Sequence, residues 1–123
     1  MVEADLHGKE CINVVGGFAR RRPPRDLAGN PEAWPRADVA DPAAAVIQHI
    51  ARSLSGVIEE RGLSLRRCAE RSGVNRQAIA DLIVGNCWPD VATLVRLEDS
   101  LGTPLYPPSG EMFRGQNRPF RPD

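Results

Sequence analysis

The stretch Leu63–Gly102, LSLRRCAERSGVNRQAIADLIVGNCWPDVATLVRLEDSLG, decides how this chain folds. Three times a small polar residue precedes a run with helical spacing, and three times a glycine follows it. Ser64, Asn75 and Asp90 each carry a side-chain oxygen that can accept from the free N–H groups of a first helical turn. Gly73, Gly85 and Gly102 suit the residue just past a helix C-terminus. The predicted helices bury Leu65, Cys68 and Ala69, then Ala78, Ile79 and Leu82, then the stripe Val91, Leu94, Leu97 and Leu101. Two short helices joined at a glycine, followed by a third, result.

Working outward, Asp41-Pro42 opens a further helix, because aspartate caps and proline fits the first turn. Val46, Ile47, Ile50, Leu54, Val57 and Ile58 recur at its helical spacing, and it should run to about Arg61 and stop at Gly62. Four helices of this length can close one small core. Residues 1–41 lack such a pattern and read as an irregular or flexible arm with one short candidate strand, Cys11–Phe18. A lone strand is marginal unless it pairs. Arg20-Arg21-Arg22-Pro23-Pro24-Arg25, Pro31 and Pro35 keep the rest extended. The expected folded unit is 42–106, and 107–123 is a proline-rich tail.

Composition narrows the classes. The chain has 123 residues, a formal net charge of zero and three cysteines. That suggests one small domain and no disulfide framework. No apolar run could span a membrane and no signal-peptide core opens the chain, so a reduced, cytoplasmic protein is expected. Catalysis finds no support: no G-x-S-x-G, H-E-x-x-H or phosphate loop occurs. His7 and His49 lack partners at ligand spacing, so neither metal nor cofactor is expected. Cys68 reads as a small core residue, and Cys87 as an exposed loop residue with nothing to activate it.

The chemistry concentrates on the helix that starts at Asn75. With Ala78, Ile79 and Leu82 inward, Arg76, Gln77, Ala80, Asp81 and Val84 face outward. Arginine can donate a bidentate pair to guanine, and glutamine can do the same for adenine. Both stand in the first turn, where a helix entering the major groove touches base edges, and small Ala80 permits close approach. Residues 61–80 hold Arg61, Arg66, Arg67, Arg71 and Arg76 against Glu70 alone, a local excess suited to phosphates. The N–H groups beginning at Ser64 and Asn75 add to it.

These residues resemble the lambda-repressor-like, Cro-type (XRE) helix-turn-helix family. The resemblance rests on Leu63-Ser64, Cys68-Ala69, Ser72-Gly73-Val74-Asn75, Ile79, Leu82, Gly85, Pro89, Thr93-Leu94, Leu97 and Leu101-Gly102. It implies an all-α fold, a bundle of four or five helices with irregular tails. It also implies a transcription regulator that binds double-stranded DNA as a homodimer on two half-sites. Its base-reading positions fall on Arg76, Gln77 and Asp81, flanked by Asn75. Ile83 stands where the family often has glutamate, and Leu65 where it often has a polar phosphate contact. Pro104, Pro107 and Pro108 leave no room for a fifth helix beyond a turn.

Several features keep two readings. Trp88 either closes the core under the loop before Asp90 or anchors an interface. Arg20–Arg25 is either a minor-groove arm or a solvated charge cluster. Ile83, Trp88, Leu105, Tyr106 and Ile12–Val15 are the apolar candidates for a dimer surface. The whole chain is either a DNA reader or an antitoxin-like or other protein-interaction module on the same fold, with a protein partner met through the tails.

Overall fold

The four capping residues each start a helix. In the computed structural model, which describes residues 22–108, α1 spans Pro42–Arg61, α2 Leu65–Ser72, α3 Arg76–Val84 and α4 Val91–Leu101. Asp41, Ser64, Asn75 and Asp90 accept from the first-turn amides of these helices. Gly62, Gly73, Gly85 and Gly102 end them in the left-handed region. No strand is present among the described residues beyond the isolated bridge Ala28–Val39, so the all-α expectation holds.

The inward stripes meet in one core. Ile50 and Leu54 of α1, Cys68 of α2, Ile79 and Leu82 of α3, and Leu97 and Leu101 of α4 are buried together. α3 packs against both α1 and α2, and α2 also packs against α4. Burying a leucine or isoleucine contributes about 1.5–3 kcal/mol each. This cluster, rather than helix propensity, holds helices of eight and nine residues in place.

Some expected core positions lie elsewhere. Val91 is 72% exposed. At about 100° per residue it sits roughly 80° round α4 from Leu101, off the buried stripe. Leu65, Ala69, Ala78 and Leu94 are half-buried at its margin. Cys87, expected on the surface, is buried, because the loop after α3 turns it into the core. Leu105 is fully buried as well and drops out as a dimer candidate. Past Gly102 the prolines prevent a helix, as expected, and the Glu98 carboxylate takes over. It accepts from the Leu105 N–H (2.7 Å) and the Tyr106 N–H (3.0 Å), which turns Leu105 inward.

The largest departure concerns residues 22–41. They are irregular, as their prolines require, with 3-10 turns at Pro24–Leu27 and Pro31–Ala33. They are not, however, a loose arm. Gln48, buried on α1, donates to the Ala37 carbonyl (3.0 Å) and accepts from the Ala37 N–H (2.8 Å). Arg52 donates to the Pro35 carbonyl (2.9 Å). The Trp34 indole N–H donates to the Ile83 carbonyl at 3.0 Å, and the Arg25 N–H to the Gly85 carbonyl at 3.0 Å. Backbone groups that cannot join a helix must find partners elsewhere, and here side chains of α1 and the end of α3 supply them. Residues 22–41 are therefore held against the bundle ahead of residue 42. The candidate strand Cys11–Phe18 lies outside the described residues.

Candidate nucleic-acid interface

Two helix starts converge on one face. At the first, the Ser64 hydroxyl accepts from the Arg67 N–H (3.0 Å), so its oxygen serves the cap while its O–H is still a donor. The amides ahead of Arg67 have no acceptor within α2, as in any first helical turn. At the second, Asn75 Oδ1 accepts from the Gln77 N–H (2.7 Å) and the Ala78 N–H (3.3 Å). Asn75 is thus chiefly the cap that starts α3.

Between these starts lies an open concavity of about 650 Å³, lined by Ser64, Leu65, Arg66, Arg67, Glu70 and Arg76. Four of the sequence-predicted residues, Ser64, Arg66, Arg67 and Arg76, are therefore brought together. Arg66, Arg67 and Arg76 are all exposed. Arg66 lies 3.9 Å from Glu70 with both side chains largely in solvent. A pair of this kind is worth little and yields readily to a stronger anion. The positive dipole end of α2 reinforces the arginines here.

Further along α3, Gln77 is exposed and its amide donates to Asp81 Oδ1 at 3.0 Å. The pair is one helical turn apart, and it fixes the orientation of the glutamine amide. A glutamine so held presents its amide edge to a groove, and the carboxylate can accept from a cytosine amine. Ala80 is half-buried beside them. All eight predicted residues lie on α2, α3 or their caps.

One predicted phosphate contact has a different partner. Arg61 donates to the Leu101 carbonyl at 2.7 Å, where it caps the C-terminal end of α4. The basic residues of this stretch that remain are Arg66, Arg67, Arg71 and Arg76, all exposed. At the opposite end of α3, Arg22 donates to the Asp26 carbonyl and Arg25 is tied to Gly85. Arg20 and Arg21 lie outside the described residues.

Burial raises the pKa of the Cys68 thiol, and nearby Arg71 offsets this only in part. A thiol so shifted is a poor nucleophile. Among the described residues no group of three His, Cys, Asp or Glu could hold a metal ion. Among them, too, no helix is long and apolar enough to cross a membrane.

Sequence reasoning missed Trp34, Gln48 and Arg52. A weak signal existed: Trp34 is a large apolar side chain standing between Pro31 and Pro35, where nothing local could cover it.

Among known families, a model described as helix-turn-helix matches residues 57–107. Its span takes in the end of α1, all of α2, α3 and α4, and the buried Leu105. No curated protein and no solved structure matches the chain.

Proposed function

We propose that the protein, whose residues 57–107 match a helix-turn-helix family model, is a sequence-specific DNA-binding regulator of the XRE type. It reads the major groove with α3 and its cap Asn75. One observation carries this: the concavity that joins the start of α2 to the first turn of α3, with Arg66, Arg67 and Arg76 around it. Arg66, Arg67, the Ser64 cap and the first-turn amides of α2 meet phosphates and set the register. Arg76 and Gln77 enter the groove, with Asp81 as a third edge and Ala80 as the space that permits approach. The protein acts by occupying a site in the cytoplasm, without chemistry of its own.

One such helix reads a short half-site, so two copies spaced about one DNA turn apart belong to the same proposal. Val91, Val95 and Tyr106 are exposed. Val91 and Tyr106 line an apolar groove with Val46, Ile47 and Trp88, and this surface is the candidate for the second copy.

Selection of bound duplexes from a random pool, at stated salt, tests the proposal. Against the selected duplex, Arg76→Ala and Gln77→Ala each weaken binding by about 1–3 kcal/mol while random duplexes are little affected. Arg66→Ala and Arg67→Ala weaken all duplexes alike and flatten the salt dependence. Equal loss on selected and random DNA for Arg76→Ala would overturn the assigned roles.

A further inference from the structure

Trp34 lies outside the matched residues 57–107 and away from the first turn of α3, yet it ends on that helix. Its indole N–H donates to the Ile83 carbonyl at 3.0 Å. Its ring also stands against Gly85. A Cβ built there would meet Trp34 Cε2 at 2.6 Å and Cζ2 at 2.9 Å, with Arg25 Cβ at 2.9 Å. The Gly85 carbonyl accepts from the Arg25 N–H at 3.0 Å. Carbonyls at a helix C-terminus have no partner within the helix, and two of those at the end of α3 are taken up by residues 22–41. The same segment is clasped to α1 just after Trp34, through Arg52 to Pro35 and Gln48 to Ala37. It is a tie between α1 and the rear of α3.

We infer that Trp34 is a positioning residue for base reading, and that residues 22–41 set the tilt of α3 from behind. This rests on the DNA-reading proposal above. α3 has nine residues, too few to hold its own direction in water. A helix of that length is about 13 Å long. A pivot of roughly 10° at its rear moves its first turn by about 2 Å, whereas a productive contact tolerates about 0.5 Å. Arg76 and Gln77 stand in that first turn. Arg66 and Arg67 stand on α2, and neither Trp34 nor Arg25 bonds to that helix. Their attraction to phosphates depends on charge rather than on alignment. Loosening the tie therefore removes sequence preference and leaves general affinity in place.

The full chain with Trp34→Ala tests this, by titration of the duplex recovered from random selection and of a scrambled duplex of equal composition, at one salt concentration. The ratio of the two affinities falls about tenfold, the value of one well-aligned base contact. Affinity for the scrambled duplex changes less than twofold. Trp34→Phe keeps most of the ring and loses the N–H donor. It lowers the ratio about threefold, as expected for one hydrogen bond, and it carries the test if Trp34→Ala fails to fold. Equal weakening of both duplexes, or no change in either, by the folded variant would make Trp34 a packing residue only and overturn the inference. A wild-type chain with no preference between duplexes would overturn the DNA reading itself, and the positioning role with it; that result appears before any substitution is made.

Discussion

Residues 63–102 and residues 22–41 both hold α3, one from its flanks and one from its rear, and they are ordered by different chemistry. In the first region each helix is announced locally, by a cap within three residues of the amide it serves and by an apolar stripe of fixed period. In the second, the stabilising partners are remote. Trp34 bonds 49 positions away, Arg52 reaches back 17 and Trp88 donates to the Arg22 carbonyl 66 positions away. Local order can be written in spacing. Remote order is written only in the fold that brings the partners together, so the tied segment has its partners only where the bundle is formed.

Removing the bundle's centre is the strongest way to break that contrast. Leu82 is fully buried on α3 where it meets α1 and α2. Leu82→Ala should cost about 2–5 kcal/mol through lost transfer energy and the cavity left behind. Denaturant unfolding of the full chain measures it. If residues 22–41 carried stability independent of the bundle, a second transition would survive beyond the first. A single transition, shifted as a whole, is expected.

A pair of glycines sharpens the contrast, and the difference between them is a smaller effect. Gly73 and Gly85 both end helices at positive φ, 81° and 79°, so an alanine at either meets the same left-handed cost of about 1–2 kcal/mol. Their surroundings differ. A Cβ at Gly73 meets nothing within 4 Å, while one at Gly85 runs into Trp34 and Arg25. Gly73→Ala should therefore cost only the backbone term. Gly85→Ala should add an overpacking cost of about 1–3 kcal/mol. Thermal unfolding of both, repeated in a Trp34→Ala background, separates the terms. The excess at Gly85 should shrink when the indole is gone, which is the non-additivity expected of residues in contact. Equal costs at the two glycines would mean that the tied segment yields freely and does not grip α3.

What could be read from the sequence follows the same division. Asp41, Ser64, Asn75 and Asp90 set four helix starts, and α1 to α4 begin where those residues place them. The eight predicted site residues lie on one motif because cap, stripe and glycine fix which way each helix faces. Periodicity alone does not say where a stripe's edge falls, so Val91 lies outside the core it is expected to join, and a loop has no period from which the burial of Cys87 could be read. Charge in a sequence carries no direction, so Arg61 adds to the basic excess there, whereas in the fold its guanidinium turns to the Leu101 carbonyl. The tie through Trp34, Gln48 and Arg52 escaped for a stronger reason. A proline-rich segment with one tryptophan resembles a linker until the bundle supplies Ile83, Gly85 and α1 as its partners. Gln48 gave no warning either, since a glutamine on a helix face is usually solvated, and only its paired bonds to Ala37 account for its burial.

The smallest effect distinguishes the two regions by pH. Asp90 caps α4 by accepting from the Thr93 N–H at 2.8 Å. Hydrogen bonds from the Thr93 side chain and backbone hold its carboxyl below the ordinary aspartate value. A carboxyl whose pKa is depressed by folding contributes stability above its unfolded value, near 3.9, and loses it as pH falls through the folded value. Asp90 is exposed, so water screens the effect. The cap itself is worth about 1 kcal/mol against alanine at neutral pH. Asp90→Asn keeps an accepting oxygen and removes the titration. The stability difference between the wild-type chain and Asp90→Asn should therefore shift against the wild type between pH 6 and pH 3. The clasp on the tied segment, Gln48 with Ala37, is made of neutral amides and has nothing to titrate. Protection of the Ala37 amide against hydrogen exchange, measured as a protection factor, should stay level relative to global stability over the same range, while that of Thr93 declines. A constant difference between wild type and Asp90→Asn down to pH 3 would mean that the negative charge on the α4 cap contributes nothing beyond its hydrogen bond.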